Sequence, residues 1–466
     1  MEQKSRSSFS SRIGFVLAAA GSAVGLGNLW RFPYLAAQYG GGIFLLVYLV
    51  LVVTFGFALM ITEIAIGRKT RLSCIGAYKK LDRRFGFLGW LAAFVPVIIT
   101  PYYCVIGGWV AKYLFTFLTG NGAAAADNGG FFTAFTSFDT GSVLTTLLDF
   151  SGPGPWFLIY TLINTVVVIF GVEKGIEKAS TFMMPVLAVL AVLIAIYSLT
   201  IDGAMAGLKY YLLPDFSKFS ASTVLGAIGQ MFYSMSLAMG IMITYGSYMK
   251  RENILEHSVT QIEVFDTLFA FVAGLMIIPA VVAFNGGDPS QINSGPGLMF
   301  TTLPMVFESM AFGGIVGTVF FLLVLFAALT SSISLMETLV SVIMDKTPLK
   351  RVSATLLVTA AALVIGIPSC LGYGPWAGIT IIGMQFLDFF DFISNSVLMP
   401  IVAVLTCILI GHVVGTKVIA DEVKENGAAF HREKLHRVMI RWIAPVLLVA
   451  ILASELATKV FGLFTI

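Results

Sequence analysis

The sequence predicts an all-α membrane protein with eleven transmembrane helices. Of its 466 residues, 58% are hydrophobic and only 11% are charged, whereas roughly 25% of a typical soluble protein is charged. Eleven apolar runs are each long enough to span a bilayer, for which a helix needs ~20 residues. Because lipid satisfies no backbone hydrogen bond, a chain of this kind crosses it as a bundle of helices. The runs are 14–38, 42–67, 88–118, 155–171, 179–200, 222–249, 258–284, 313–344, 352–372, 391–415 and 439–463.

The distribution of Lys and Arg predicts how the bundle is oriented. Lys4, Arg6 and Arg12 precede the first run and seven more basic residues lie in 68–84, whereas 119–152 holds three Asp and neither Lys nor Arg. Since Lys and Arg concentrate in cytoplasmic segments, we expect a cytoplasmic N-terminus and, after eleven spans, an external C-terminus. No short apolar core with a small-residue cleavage site opens the chain, so we expect no signal peptide.

Composition argues against several other classes of protein. The net charge of +3 is too small to indicate nucleic-acid binding. The four Cys residues have no metal-ligand spacing and none lies in 119–152, so we expect neither a metal motif nor a disulfide scaffold. The four His residues lie near connecting segments and join no Ser/His/Asp set, so we expect no enzyme activity.

The first and sixth runs are interrupted at mid-depth. Residues 21–27 read GSAVGLG and residues 234–240 read SMSLAMG. Five spans separate the two elements, and paired breaks in two halves indicate an inverted repeat with a binding site at the bilayer midplane. Small residues that pack helices together are the alternative, but Asn28 and Arg31 after the first break favour a solute site. The single domain then comprises repeats 14–200 and 222–416 and an additional helix 439–463.

Several longer stretches make the chain recognisable. They are GSAVGLGNLWRFPY at 21–34, GGGIFLLVYL at 40–49, PYYCVIGGW at 101–109, GVEKGIEK at 171–178, GQMFYSMSLAMG at 229–240 and LFAALTSSISLM at 325–336. Over nearly its whole length the chain resembles the neurotransmitter:sodium symporter family, and within it the bacterial, leucine-transporter-like amino acid transporters with eleven helices.

The resemblance implies a secondary active sodium:neutral amino acid symporter that works by alternating access. Its partners would be a small neutral amino acid and the lipid bilayer, with sodium ions at two sites and no organic cofactor. The expected location is the bacterial inner (plasma) membrane, and the expected state is a monomer or weak dimer.

Both sodium sites would use oxygen ligands, which this hard ion prefers. By resemblance, the ligands of the first site, which joins the two helix breaks, would be Ala23, Asn28, Ser234 and Asp266. The second site, between the first and eighth runs, would use Gly21, Val24, Ala327, Thr330 and Ser331. Spacing supports the second site independently, because positions i, i+3 and i+4 share one helical face. Hydroxyls bonded back to their own helix are the alternative.

The same resemblance places the substrate against the two breaks. Gly25 stands where monoamine transporters of the family carry an aspartate, so amino acids are expected instead of monoamines. Aliphatic side chains are weakly favoured and aromatic ones stay open. The expected substrate-binding residues are Ser22, Ala23, Gly25, Leu26, Gly27, Ile99, Tyr103, Tyr233, Ser234, Ser236, Ala238, Met239, Ser331 and Leu335.

Charged residues are expected to gate this site at both ends. The gates implied are Arg31 with Asp388 or Asp391 on the outside, and Arg6 with Asp345 and Tyr248 on the cytoplasmic side. The choice between the two acids stays open. For the cytoplasmic pair, two loop charges that only obey the positive-inside rule are the alternative.

Asp266 lies deep in the seventh run, where an acid is costly and a candidate for function. Chloride-dependent relatives carry Asn there and hold the anion through residues that match Tyr48, Gln230 and Ser234. A fixed charge at Asp266, with Ala270 where those relatives have Ser, predicts transport that needs sodium and not chloride. A protonated Asp bonded to a neighbouring helix is the alternative.

Two other functions stay open on the sequence. The first is a transceptor or channel-like protein that binds an amino acid without concentrating it. The second is a proton-coupled carrier of the same architecture. Uptake against a gradient tests the first, and a pH gradient imposed without sodium tests the second.

Overall fold

The computed structural model describes residues 7–293 and 295–460. In these residues each predicted apolar run coincides with one helix or with a pair of helices. The bounds are α1 Arg12–Ala23, α2 Gly27–Gln38, α3 Gly42–Thr70, α4 Arg83–Leu118, α5 Gly154–Ile169, α6 Val172–Leu199, α7 Ala221–Ser234, α8 Ile241–Tyr248, α9 Leu255–Phe284, α10 Gly313–Lys346, α11 Arg351–Leu371, α12 Phe386–Val413 and α13 Glu433–Lys459.

The length and hydropathy of these helices support the membrane-spanning architecture. Among the described residues, eight helices are individually long and apolar enough to cross a membrane, and α1 and α2 form one more span bent by 52°. The other two predicted spans fall on α5, which has 16 residues, and on the pair α7 and α8. Several helices extend beyond the apolar run; α6 begins at Val172 instead of residue 179, because helical hydrogen bonding continues into polar sequence.

The spans alternate in direction and so define two faces of the bundle. We name the face that carries the start of α1 and the end of α10 the N-terminal face, and the opposite one the distal face. On the N-terminal face the N–H of Phe9 donates to the carbonyl of Tyr248 at 3.2 Å. The assignment of the N-terminal face to the cytoplasm stays a prediction from the distribution of Lys and Arg.

The first span occupies the centre of the bundle. Helix α1 packs against α6, α9 and α10, and α4 packs against α5, α10 and α11. Every residue of α1 from Gly14 to Ala23 is buried. The end of α1 therefore lies inside protein, where an interrupted helix can be tolerated in a membrane.

Both predicted breaks are present. Helix α1 ends at Ala23, and Val24 is extended with φ −74° and ψ 96°. Beyond α7 the backbone is left-handed at Ser236 (φ 53°), Ala238 (φ 60°) and Gly240 (φ 75°). Left-handed residues do not continue a right-handed helix, and they are costly at residues other than glycine. The division of the chain into two inverted repeats, which these breaks suggested, stays a prediction.

Helices α3 and α8 approach each other at two glycines. A Cβ atom on Gly67 would overlap the carbonyl oxygen of Ile243, and one on Gly246 would overlap the carbonyl oxygen of Ile64. Each helix thus contributes a glycine against the other's backbone. No larger residue fits at either position without separating the helices.

Candidate functional site

A cavity of about 30 Å³ lies between the two helix breaks. Its wall includes every predicted substrate-binding residue except Ala238. The members come from α1, α2, α4, α7, α8, α10 and the two broken segments, so residues far apart in sequence meet where the two breaks lie beside each other. The contacts of these residues describe what the cavity can hold.

Ala238 does not line the cavity, and Ile241 does. Ala238 has a positive φ, and its N–H donates to Oε1 of the buried Glu63 at 2.7 Å, so its backbone turns toward α3. Ile241 is the first residue of α8 and lies on the cavity wall. Residue types could have indicated Ile241, since Gly240 ends the break. They do not reveal the turn at Ala238, because alanine rarely adopts left-handed backbone.

The start of α2 presents hydrogen-bond donors at the cavity. The N–H of Leu26 donates to the hydroxyl of Tyr103 at 3.4 Å. A helix N-terminus carries unpaired N–H groups and a partial positive charge, which favours an anion such as a carboxylate. At Gly25 an added Cβ would lie 2.6 Å from Ser331 Oγ and 3.1 Å from the Tyr103 hydroxyl. A side chain at Gly25 would therefore displace Ser331 and occupy part of the cavity.

The rest of the wall is uncharged. Its polar side chains are hydroxyls, among them Ser236, whose Oγ donates to the carbonyl of Ser22 at 2.8 Å. Its apolar side includes Ile99, Met239 and Leu335, and no Asp, Glu, Lys, Arg or His belongs to the wall. The cavity as described suits an uncharged side chain.

An oxygen cluster lies next to the cavity, where α2, α3, α7 and α9 meet. Asp266 Oδ1 accepts hydrogen bonds from Asn28 Nδ2 at 2.9 Å and from Ser234 Oγ at 2.8 Å. Asp266 Oδ2 accepts one from the Tyr48 hydroxyl at 3.4 Å, and Asn28 Oδ1 lies 3.1 Å from Ser234 Oγ. All four side chains are buried. The cluster gathers three of the four predicted first-site ligands, and the fourth, Ala23, lies on the adjoining cavity wall.

The donors to Asp266 in this cluster are neutral. A charge on Asp266 therefore has no counter-charge within the cluster, and a small cation with oxygen ligands would supply one. Gln230 lies beside it, with Nε2 donating to the carbonyl of Gly27 at 3.0 Å and with Oε1 buried and unpartnered in the described structure. Ala270, one turn along α9, is fully buried and offers no hydroxyl.

The predicted second sodium site falls where α1 and α10 meet. Ser331 Oγ donates to the carbonyl of Ser22 at 3.1 Å and lies 3.4 Å from that of Gly21. Thr330 Oγ1 lies 3.0 Å from the carbonyl of Ala327, on its own helix. Thr330 therefore makes the back-bond that was the alternative interpretation, while Ser331 reaches across to α1. Val24, with its extended backbone, follows the end of α1 at the same place.

A second cavity adjoins the first on the distal side, and Tyr233 lines both. The Arg31 guanidinium lies over the Tyr233 ring, 5.4 Å from its centre. Asp391 shares this cavity with Arg31, whereas Asp388 does not belong to its wall. Asp391 Oδ1 accepts from the Tyr102 hydroxyl at 3.1 Å. Of the two acids that the sequence left open, Asp391 is the one that shares a cavity wall with Arg31.

Helix α13 also contributes to the distal cavity, which the sequence did not indicate. Glu455 and Lys459 belong to its wall. Glu455 Oε2 accepts from Ser396 Oγ at 2.9 Å and lies 3.5 Å from Lys459 Nζ. An acid and a base four residues apart on a helix usually form an ordinary surface pair, so the sequence alone does not indicate a role for them.

On the N-terminal face, Arg6 of the predicted gate lies outside the described residues. Its predicted partner Asp345 accepts a hydrogen bond from the N–H of Ser73 at 2.7 Å. The hydroxyl of Tyr248 donates at 2.7 Å to Oε1 of Glu337, a side chain that the sequence analysis did not single out.

Glu337 forms a buried ion pair with Arg351. The carboxylate of Glu337 is fully buried, and its two oxygens lie 2.6 and 2.9 Å from the guanidinium nitrogens of Arg351. This geometry, with two parallel bonds, is among the stronger ion-pair arrangements. The sequence could have indicated Glu337, because it is an acid within the apolar run 313–344 and ionisable groups at membrane depth are functional candidates.

Comparison with known proteins agrees with this description. The family model for the sodium:neurotransmitter symporter family matches residues 6–133 and 131–461. The uncharacterized sodium-dependent transporter YhdH of Bacillus subtilis is 34% identical over 97% of this chain and 98% of its own. An uncharacterized sodium-dependent transporter of Haemophilus influenzae is 31% identical over 97% of this chain and 99% of its own.

A solved structure is similar over the same length. The crystal structure of MhsT in complex with L-phenylalanine superposes with a TM-score of 0.85 at 37% identity, covering 97% of this chain and 100% of MhsT. Sequence and structure comparisons thus agree along the whole bundle. The chain belongs to the sodium:neurotransmitter symporter family and is a sodium-dependent transporter.

Proposed function

We propose that the protein is a sodium-coupled, chloride-independent symporter for a neutral amino acid and that it works by alternating access. Its family consists of transporters, so the expectation that the chain is not an enzyme is confirmed. The observation that carries the proposal is the cavity between the two helix breaks, with the oxygen cluster around Asp266 beside it.

The substrate class follows from the groups on the cavity wall. The N-terminus of α2 and the hydroxyl of Tyr103 bind the carboxylate, and the carbonyls of the broken segments accept from the ammonium group. Since Gly25 carries no acid, a bare amine would lack its counter-charge. The uncharged wall favours a neutral side chain. MhsT binds L-phenylalanine, which supports testing aromatic and aliphatic substrates side by side.

Sodium binds at two sites in this proposal. At the first, Ala23, Asn28, Ser234 and Asp266 supply oxygens, and Ser234 also lines the cavity, so ion and substrate share a wall. At the second, Gly21, Val24, Ala327, Thr330 and Ser331 supply them across the α1–α10 contact. Sodium shifts the protein toward one conformation only by binding that conformation more tightly than the other.

Gating rests on groups at both ends of the cavity. Tyr233 separates the central cavity from the distal one, and Arg31 covers its ring, so movement of these two residues opens the distal path. Asp391 is the proposed partner of Arg31. On the N-terminal face, separation of Asp345 from its contacts opens the other path.

The deciding experiment is uptake of labelled amino acids into proteoliposomes with an inward sodium gradient. We expect saturable accumulation above the external concentration, unchanged when chloride is replaced by gluconate and abolished when choline replaces sodium. Binding without accumulation would favour a transceptor. Accumulation driven by a pH gradient in the absence of sodium would favour a proton-coupled carrier. If the protein transports dopamine or serotonin and no amino acid, the proposed substrate class is wrong.

A further inference from the structure

A third cavity, larger than the central and distal ones, lies on the lipid-facing side of the bundle, between α4, α10 and α11. We name it the apolar crevice; its volume is about 250 Å³. Apart from Trp90 at the rim, Thr100 is the one polar side chain in its wall, and Thr100 Oγ1 donates to the carbonyl of Pro96 at 2.6 Å. Behind Trp90 the wall is therefore apolar, with its one hydroxyl already bonded. A dry apolar cavity of this kind accepts hydrocarbon and not water.

The rim of the crevice carries an aromatic side chain with a basic one beside it. Trp90, near the start of α4, belongs to the crevice wall and is 61% exposed. Lys346, the last residue of α10, is exposed and its ammonium lies 6.0 Å from the centre of the Trp90 ring. Lys79 and Lys350 are also exposed in the segments that precede α4 and α11. Trp and Lys at a helix end are typical of the boundary between hydrocarbon and head groups.

We propose that the crevice binds one acyl chain of an anionic phospholipid, with the phosphate held by Lys346 beside Trp90. The wall fits the chain because both are apolar, and the rim fits the head group because exposed basic side chains attract anionic lipids. All of these basic residues lie on the N-terminal face, where the orientation prediction puts the cytoplasmic leaflet. The site is separate from the central cavity and belongs to neither sodium cluster.

The bound chain would support the wall of the central cavity. On α4, Thr100 lines the crevice while Ile99 and Tyr103 line the central cavity. On α10, Leu339 lines the crevice and Leu335 lines the central cavity. Helix α4 also contains Pro96 and Pro101, which remove internal hydrogen bonds and weaken a helix. Packing from behind therefore restrains the turn of α4 that carries Tyr103.

Quenching of Trp90 fluorescence by brominated acyl chains tests the site. The protein is reconstituted in phosphatidylcholine with a small mole fraction of brominated phosphatidylglycerol, and separately with the same fraction of brominated phosphatidylcholine. The contribution of Trp90 is the difference from Trp90→Phe. We expect quenching by the anionic lipid to exceed that by the zwitterionic lipid about threefold or more, because the basic rim enriches anionic lipid at the site.

Three variants separate the chain site from the head-group site. Lys346→Gln should reduce quenching by the anionic lipid to the level of the zwitterionic one. Ala361→Phe fills the crevice and should reduce quenching by both lipids. Val364→Phe is the matched control, because Val364 is 66% exposed on the same helix and does not belong to the crevice wall. Sodium-dependent amino acid uptake of each variant confirms that it folds.

Each outcome decides the proposal. Equal quenching by the two lipids that Ala361→Phe leaves unchanged would mean bulk lipid contact and would overturn it. Equal quenching that Ala361→Phe abolishes would mean a chain site without selection for anionic lipid, which also overturns it. Selective quenching that Lys346→Gln and Ala361→Phe abolish and Val364→Phe leaves intact supports it.

Discussion

Replacing Asp266 by Asn removes one negative charge from the oxygen cluster and keeps the volume of the side chain. In the protein, Oδ1 accepts from Asn28 Nδ2 at 2.9 Å and from Ser234 Oγ at 2.8 Å, and Oδ2 accepts from the Tyr48 hydroxyl at 3.4 Å. An amide keeps one of these acceptor oxygens and places an NH₂ group where the other stood. The perturbation is thus one charge and the hydrogen bonds of one oxygen.

Coulomb's law gives the scale of the effect on sodium. A cation ~4 Å from a unit negative charge gains ~4 kcal/mol at an effective dielectric constant of ~20. The amide oxygen still ligates the ion and the site rearranges, so the measured loss should be smaller. We expect sodium affinity to fall at least tenfold, or ~1.4 kcal/mol.

The assay is a sodium titration of amino acid uptake in proteoliposomes, with choline holding ionic strength constant. A sodium-dependent shift in thermal unfolding, measured in detergent, reports binding without transport. Ala270→Ser is the matched control: it lies one turn along α9, is equally buried, and adds a hydroxyl without changing charge. Its sodium affinity should stay within about twofold of the wild type, because the substitution changes neither the charge at the site nor any of its proposed ligands.

The chloride dependence of sodium affinity is a second test of Asp266→Asn. Adding chloride to Asp266→Asn should restore part of the sodium affinity if Tyr48 and Gln230 hold the anion, and Asp266→Asn with Ala270→Ser should respond more strongly. The wild type should be indifferent to chloride. A half-saturating sodium concentration that is the same in Asp266→Asn and in the wild type would refute the assignment of Asp266 as a sodium ligand.

Three further predictions concern other parts of the site. Thr330→Val combined with Ser331→Ala removes two hydroxyl oxygens and should lower sodium affinity more than tenfold, ~1.4 kcal/mol; an unchanged sodium titration would show that the second site lies elsewhere. Gly25→Asp should abolish amino acid binding in a radioligand assay, because its Cβ would lie 2.6 Å from Ser331 Oγ; retained affinity would contradict the described packing. Arg351→Gln leaves the buried carboxylate of Glu337 without its counter-charge and should lower the free energy of unfolding by ~3–5 kcal/mol, with Glu337→Gln restoring part of it. Chemical denaturation in detergent measures both variants, and a free energy of unfolding of Arg351→Gln equal to that of the wild type would mean that the ion pair does not stabilise the fold.

The helices and the two breaks are predicted well because both depend on local patterns. Runs of apolar residues indicate spans, and clustered small residues in 21–27 and 234–240 indicate where two of them break. The residues at the cavity were implied by the resemblance to the family, and the structure brings all but one of them to one wall. Ala238 is the exception, because its orientation depends on a left-handed turn and on the distant Glu63.

Other parts of the site depend on contacts that residue types do not encode. Asp388 and Asp391 lie three positions apart near the start of α12, and only the packing of that helix puts Asp391 on the cavity of Arg31. Glu337 and Arg351 belong to different helices, α10 and α11, and meet because the short connection after Lys346 returns the chain beside itself. Glu455 reaches the distal cavity because α13 packs against α12.

The reciprocal glycine contacts between α3 and α8 have a mechanical consequence. At Gly67 and Gly246 the two backbones are in direct contact, with no side chains between them that could change rotamer as the helices shift. Sliding or tilting one helix alone would bring its carbonyl groups into contact with Cα atoms of the other helix. We therefore expect α3 and α8 to move as one rigid body. Spin labels on α3 and α8 should therefore keep a constant separation through the transport cycle, while the distance between labels on α1 and α10 should change.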